Sequence, residues 1–136
     1  MKIPPSLDDV RDESQRTILI IENEISNRLL IERVLSTRGY RCLSASNGQE
    51  ALNMLDDERV DLILTDLSMP VLDGYRTTQL IRARPAMANI PIVAVTAYAF
   101  NDENEAAIQS GCNEYLTKPF KPRQLLEVVD RLLLQQ

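Results

Sequence analysis

A doubly wound α/β domain, with five parallel strands in the order 2-1-3-4-5 and five helices, is the fold this sequence predicts. Three observations lead to it. Short apolar runs alternate with stretches of helical period along the whole chain. The runs are nearly continuous rather than alternating, which fits strands buried on both faces beneath helical crossovers. Right-handed crossovers then wind the chain, and of the two usual orders 2-1-3-4-5 suits five strands best.

The elements follow in order. Residues 1–15, with Pro4-Pro5 and the acids Asp8, Asp9, Asp12 and Glu13, offer little to bury. They read as a disordered tail before a domain over 16–136. Thr17–Ile21 is a fully apolar strand ending at Glu22-Asn23-Glu24. Ile25–Arg38 is a helix with Leu30, Ile31, Val34 and Leu35 on one face, stopped by Gly39. Arg41–Ala45 is the second strand, and a turn at Asn47-Gly48 leads to a short helix, Gln49–Leu55, with Ala51, Leu52 and Leu55 inward.

The central strand runs from Val60 to Leu64, broken only by Asp61, and leads to Asp66. A turn-rich loop, Ser68-Met69-Pro70, closes on Asp73-Gly74. Tyr75–Arg84 is the third helix, with Leu80 and Ile81 buried, limited by Pro85. Ile90–Val95 is the fourth strand, ending at Thr96-Ala97. Asn101–Ser110 is a weaker acidic helix stopped by Gly111. Glu114–Thr117 is the fifth strand, followed by Lys118-Pro119. Pro122–Leu134 is the last helix, with Leu125, Val129, Leu132 and Leu133 on one face. Leu126, Val128 and Leu134 exceed that stripe; a broad core contact explains them most simply, and a homodimer or partner surface is the alternative.

Composition narrows the chemistry. The chain has 136 residues, which suits one domain. Its net charge of −5 argues against non-specific nucleic-acid binding, which needs a basic face. With no histidine, every histidine-based mechanism is excluded. Cys42 and Cys112 form no CxxC pair and read as ordinary thiols of a reducing compartment. No stretch approaches the roughly 18 apolar residues that span a bilayer. The N-terminus lacks an apolar signal core, so a cytoplasmic location with no membrane contact is expected.

The strand ends carry the functional signal. The first offers Glu22 and Asn23, the third Asp66, the fourth Thr96 and the fifth Lys118. In a parallel sheet these ends share one edge, where open α/β sheets bind ligands. Singly, Asp66 is an Asx-turn former, Thr96 a strand residue and Lys118 a solvated charge. Together they suit phosphoryl transfer, which is mostly positioning and charge neutralisation. A carboxylate can attack phosphorus, an oxygen-ligated Mg²⁺ can bridge acids and phosphoryl oxygens, and lysine supplies a compact positive charge.

With these residues in this order, the chain resembles the receiver domain of two-component response regulators. The resemblance runs from Thr17 to about Leu134. It rests on Glu22-Asn23, the DLSMPVLDGY run from Asp66, Val95-Thr96-Ala97, and Tyr115-Leu116-Thr117-Lys118-Pro119-Phe120. It implies a flavodoxin-like receiver fold and a phosphorelay role. Asp66 would accept a phosphoryl group from a phosphohistidine of a partner histidine kinase or histidine phosphotransfer protein. Glu22, Asn23, Asp66 and the backbone carbonyl of Ser68 would hold Mg²⁺. Lys118 would pair with the phosphoryl group. Thr96 and Tyr115 would switch the face built from the fourth helix, fifth strand and fifth helix, which meets a downstream protein target. Ser68 and Tyr98 stand where that family tunes phosphoryl lifetime, and the Lys118–Pro119 bond would be cis. A stand-alone receiver, or one taken from a hybrid kinase, is expected: a phosphoacceptor assisting its own phosphorylation rather than an enzyme.

One position departs from the family. Asn23 stands where the family has a second acid, which removes a negative charge from the metal site and predicts weaker Mg²⁺ binding. It also supports an alternative, a pseudo-receiver that binds its partner without phosphate. A dehalogenase-type phosphatase is disfavoured because Ser68 replaces its general acid. A flavodoxin-like cofactor protein is disfavoured because no phosphate-binding loop follows the first strand.

Overall fold

The computed structural model of the chain describes residues 15–67, 73–96 and 111–134. The strands are β1 (Thr17–Ile21), β2 (Arg41–Ala45), β3 (Leu62–Asp66), β4 (Ile92–Thr96) and β5 (Glu114–Thr117). The helices among the described residues are α1 (Ile25–Ser36), α2 (Gly48–Asp57), α3 (Gly74–Arg82) and α4 (Pro122–Leu134), with a 3₁₀ turn at Pro85–Met87. The last of these, α4, is the fifth of the helices expected from the sequence. The helix expected over 101–110, the Ser68–Pro70 loop, Tyr98 and the tail before residue 15 lie outside the described residues.

All strands pair parallel, in the order β2-β1-β3-β4-β5. The period of two divides the apolar runs between two cores. Ile18 and Ile20 of β1, Leu62 and Leu64 of β3 and Val93 of β4 meet Ile31 and Leu35 of α1 and Leu125, Val129 and Leu133 of α4. Leu19, Ile21, Ile63, Ile92 and Ala94 face the other way, onto Ala51, Leu52 and Leu55 of α2 and Ile81 of α3. A strand whose alternate residues serve opposite helices must be apolar throughout, which is why these runs do not alternate.

Local chemistry sets the boundaries. Asn47 caps α2 by accepting the Glu50 N–H at 2.8 Å, so the expected turn is a helix start. Asp73 caps α3 through the Arg76 N–H at 2.7 Å. Asp61, which interrupts the central apolar run, is buried because it closes the sheet's amino edge. It accepts the Thr17 N–H at 2.8 Å and lies 3.8 and 3.7 Å from Arg16 and Arg59. Tyr40, at the start of β2, donates to Asp130 of α4. Both cysteines are free, and burial pushes the Cys42 thiol up to about 11.

Several expectations change. The central strand runs Leu62–Asp66 rather than Val60–Leu64, so Asp66 is its last residue. The helical period places Leu30 in the core stripe of α1, yet it is 58% exposed. The stripe narrows to Ile31 and Leu35, with Val34 partly buried against them. Leu80 is half-buried rather than buried, leaving Ile81 as the anchor of α3. β4 starts at Ile92, not Ile90, because Pro91 cannot donate to a sheet ladder.

Gly74 brings α3 against the end of β3. Its N–H donates to the Leu67 carbonyl at 3.2 Å, and a Cβ there would stand 2.7 Å from the Leu67 Cα and strike the Asp66 carbonyl. Backbone cannot yield as a side chain can. Gly74→Ala is therefore expected to lower the urea midpoint by an amount worth about 1–3 kcal/mol; an unchanged midpoint would contradict this close approach.

Candidate functional site

The carboxyl edge gathers the residues singled out from the sequence. Glu22 follows β1 and Asp66 ends β3; both are buried, at 3% and 8% exposure. Lys118 follows β5, and its Nζ lies 3.4 Å from Glu22 Oε2 and 3.5 Å from Asp66 Oδ2. One ammonium thus faces two carboxylates drawn from different strands. The Lys118 N–H donates to the Thr96 carbonyl at 2.7 Å, which anchors the lysine backbone to the end of β4. The Lys118–Pro119 bond is cis, as the resemblance implied.

Supporting bonds hold Glu22. Its Oε1 accepts the Glu24 N–H at 3.2 Å, its N–H donates to the Ala45 carbonyl at 3.0 Å, and the Arg28 guanidinium donates to its carbonyl at 3.2 Å. Burial and the Asp66 charge raise the Glu22 pKa above the usual carboxylate range; Lys118 and the Glu24 N–H oppose the rise.

Thr96 is buried at the end of β4, opposite Thr117, while Tyr115 pairs with Ala94 two residues earlier. By the strand period Thr96 and Tyr115 share a sheet face, and Tyr115 packs against the core on the α2–α3 side. Asn23 is exposed beside Glu22. The Glu24 carboxylate accepts from Ser26 Oγ at 2.7 Å and Asn27 Nδ2 at 3.2 Å. Ser68 lies outside the described residues.

The donor set fits a hard divalent cation. Among the described residues no group of three or more His, Cys, Asp or Glu gathers, so the acids here are Glu22 and Asp66. Two carboxylates outweigh one ammonium, and Mg²⁺ ordinarily takes one or two carboxylates and keeps several waters.

Sequence reasoning missed Arg28, Gly74 and the exposed apolar face of α1. Ile25 and Leu29 did carry a signal, a second apolar stripe at i, i+4 spacing. Arg28 carried none, since a guanidinium six residues from the carbonyl it binds has no periodic signature.

A five-stranded doubly wound sheet with this edge defines a flavodoxin-like receiver fold. Residues 18–130 match the response regulator receiver domain family, and the chain belongs to it. Domains of this family are signalling phosphoacceptors of two-component systems. The chain is 40% identical over 115 residues to the sensor histidine kinase GacS of Pseudomonas protegens, covering 82% of this chain and 12% of the kinase. It is 35% identical over 121 residues to an uncharacterized 14.6 kDa protein of Leptolyngbya boryana, covering 89% of this chain and 92% of that one. Among solved structures it is similar to the receiver domain of the sensor histidine kinase PA1611 from Pseudomonas aeruginosa, which has a magnesium ion in its active site cleft. That match has 38% identity and a TM-score of 0.82, covering 88% of this chain and 98% of that domain. No helix among the described residues is long and apolar enough to cross a membrane.

The raised Glu22 pKa carries a consequence for stability without divalent cations. The unfolded chain releases this proton first, near the usual value of 4.5. Stability is therefore lost as pH rises from that value through the higher folded one, and the loss is complete above it. Glu22→Gln is expected to raise the denaturant midpoint at pH 7 in chelator-treated buffer, with the gain vanishing below the usual value. An equal gain at all pH values would contradict the charge argument.

Proposed function

We propose that Asp66 accepts a phosphoryl group from a phosphohistidine on a partner histidine kinase or phosphotransfer protein. One observation carries the reading: a buried Asp66 carboxylate 3.5 Å from an ammonium that a second buried acid also holds. An Asp66 oxygen attacks phosphorus, the O–P bond forms, and the N–P bond breaks with its electron pair passing to the imidazole. Lys118 pairs with the phosphoryl oxygens. Glu22, Asn23, Asp66 and the Ser68 carbonyl would hold Mg²⁺, whose charge would offset that of the acids and the phosphoryl group. The magnesium in the similar PA1611 domain supports this assignment. Thr96 turns toward the phosphoryl group and Tyr115 follows, which alters the surface around β5 and α4 for a downstream protein.

The donor protein docks beside the site. Ile25, Leu29 and Leu30 are 61%, 57% and 58% exposed on α1. Leu30 also lines a cleft of about 390 Å³ with Ile31, Asn27, Lys118, Pro119 and Phe120. Because Lys118 belongs to both cleft and site, a protein reaching Asp66 covers this apolar patch.

Asn23 favours the second reading, a pseudo-receiver that binds its partner without phosphate. Transfer from a phosphohistidine-bearing phosphotransfer domain, with Mg²⁺ and then with chelator, separates the two. Mg²⁺-dependent transfer is expected; absence of transfer, with no Mg²⁺ binding at millimolar concentration, supports the pseudo-receiver.

Two variants probe the site and its approach. Asn23→Asp restores a charged ligand and is expected to tighten Mg²⁺ severalfold in a calorimetric titration; unchanged affinity would exclude position 23 from the metal site. Leu29→Asp is expected to slow transfer from the protein donor by about tenfold or more, equivalent to about 1.4 kcal/mol. Its phosphorylation by acetyl phosphate, which needs no docking, is expected to stay at the wild-type rate. Equal slowing with both donors would contradict the docking role.

A further inference from the structure

We infer that Arg82 is a positioning residue for Lys118: its guanidinium fixes where β5 lies along the sheet, and hence where the Lys118 ammonium stands relative to Asp66. The inference rests on the proposed role of Lys118 at the phosphoryl group. Arg82 ends α3, half-buried, at the amino edge of the sheet. Its Nε donates to the Gly111 carbonyl at 2.9 Å. One terminal nitrogen donates to the carbonyls of Met87, Ala88 and Ile90 at 3.2, 3.2 and 2.5 Å, and the other to Asn113 Oδ1 at 2.7 Å.

The same Asn113 oxygen accepts the Ile92 N–H at 2.8 Å, and the Asn113 N–H donates to the Ile92 carbonyl at 2.7 Å. One planar fork therefore joins the end of α3, the approach to β4 and the turn that leads into β5. Gly111 adopts φ +117°, and a Cβ there would lie 2.8 Å from Arg82 Cγ, so the turn is fitted around the arginine stem. Among the described residues Arg82 makes no ion pair with a carboxylate; carbonyl dipoles balance its charge.

This fixture matters because β5 is a four-residue edge strand whose one strand neighbour among the described residues is β4. A slip of one residue moves a strand by about 3.3 Å and turns its side chains to the other face. Lys118 directly follows β5, and its ammonium sits 3.4 and 3.5 Å from its two acids. A shift of that size takes it out of reach. Lysine at position 82 would keep a charge but could not fork to the same carbonyls.

The test is amide hydrogen exchange in the intact chain, with no phosphoryl donor present, on wild type, Arg82→Lys and Asn113→Ala. It compares the Lys118 N–H, bonded to Thr96, with the Asp61 N–H, bonded to Thr17 at 2.8 Å. Lys118 is expected to lose protection by about tenfold more than Asp61 in each variant. The maximal rate of phosphorylation by acetyl phosphate is expected to fall while Mg²⁺ affinity holds. Equal loss at both amides, or none, overturns the inference. So does selective loss with undiminished phosphorylation. If Arg82→Lys does not fold, Asn113→Ala, at an exposed position, decides the matter by the same two amides. Exchange is read without phosphoryl chemistry, so a wild type that takes up no phosphate counts against the proposed function and leaves the exchange comparison standing.

Discussion

A single ammonium between two buried carboxylates is the constraint on which the rest of this structure depends. Burial disfavours the charged form of Glu22, and the neighbouring Asp66 charge adds to that cost. Lys118 offsets part of that repulsion, and the two acids still outnumber the one ammonium. Three strand ends must meet within hydrogen-bond distance for this to happen. The doubly wound order supplies the meeting, because β1, β3, β4 and β5 are consecutive neighbours with their carboxyl ends aligned.

The scaffold serves that edge from both ends. At the carboxyl edge, Gly74 lets α3 start against the end of β3, and the Glu24 N–H and Arg28 hold Glu22 in place. At the amino edge, Asp61 closes β1 to β3, while Arg82 and Asn113 close β4 to β5. These amino-edge bonds lie far along the strands from the site. They act through strand register, since a rigid strand carries a fixture at one end to the side chain at the other.

Much of this was legible in the sequence. Thr17–Ile21 and Ile92–Thr96 are apolar enough to declare buried parallel strands, and Glu22, Asp66, Thr96 and Lys118 fall at strand ends by simple counting. What stayed hidden depended on three-dimensional pairing. Leu30 and Ile31 are adjacent aliphatics that no periodic rule separates cleanly, yet one is exposed and the other buried. Asp61 interrupts an apolar run, and only its partners, the Thr17 N–H and two arginines, explain why it is there. Arg82 has the look of a surface charge in the sequence because four of its five acceptors are backbone carbonyls, which leave no signature there.

The central claim is that the Asp66 carboxylate takes a phosphoryl group although Asn23 replaces an acid. Intact-mass measurement after incubation with acetyl phosphate and Mg²⁺ tests it most directly, with Asp66→Ala alongside and samples kept cold and near neutral. One added phosphoryl group on wild type and none on Asp66→Ala is the result predicted. An adduct on both proteins, or none on wild type at saturating Mg²⁺, would contradict the claim.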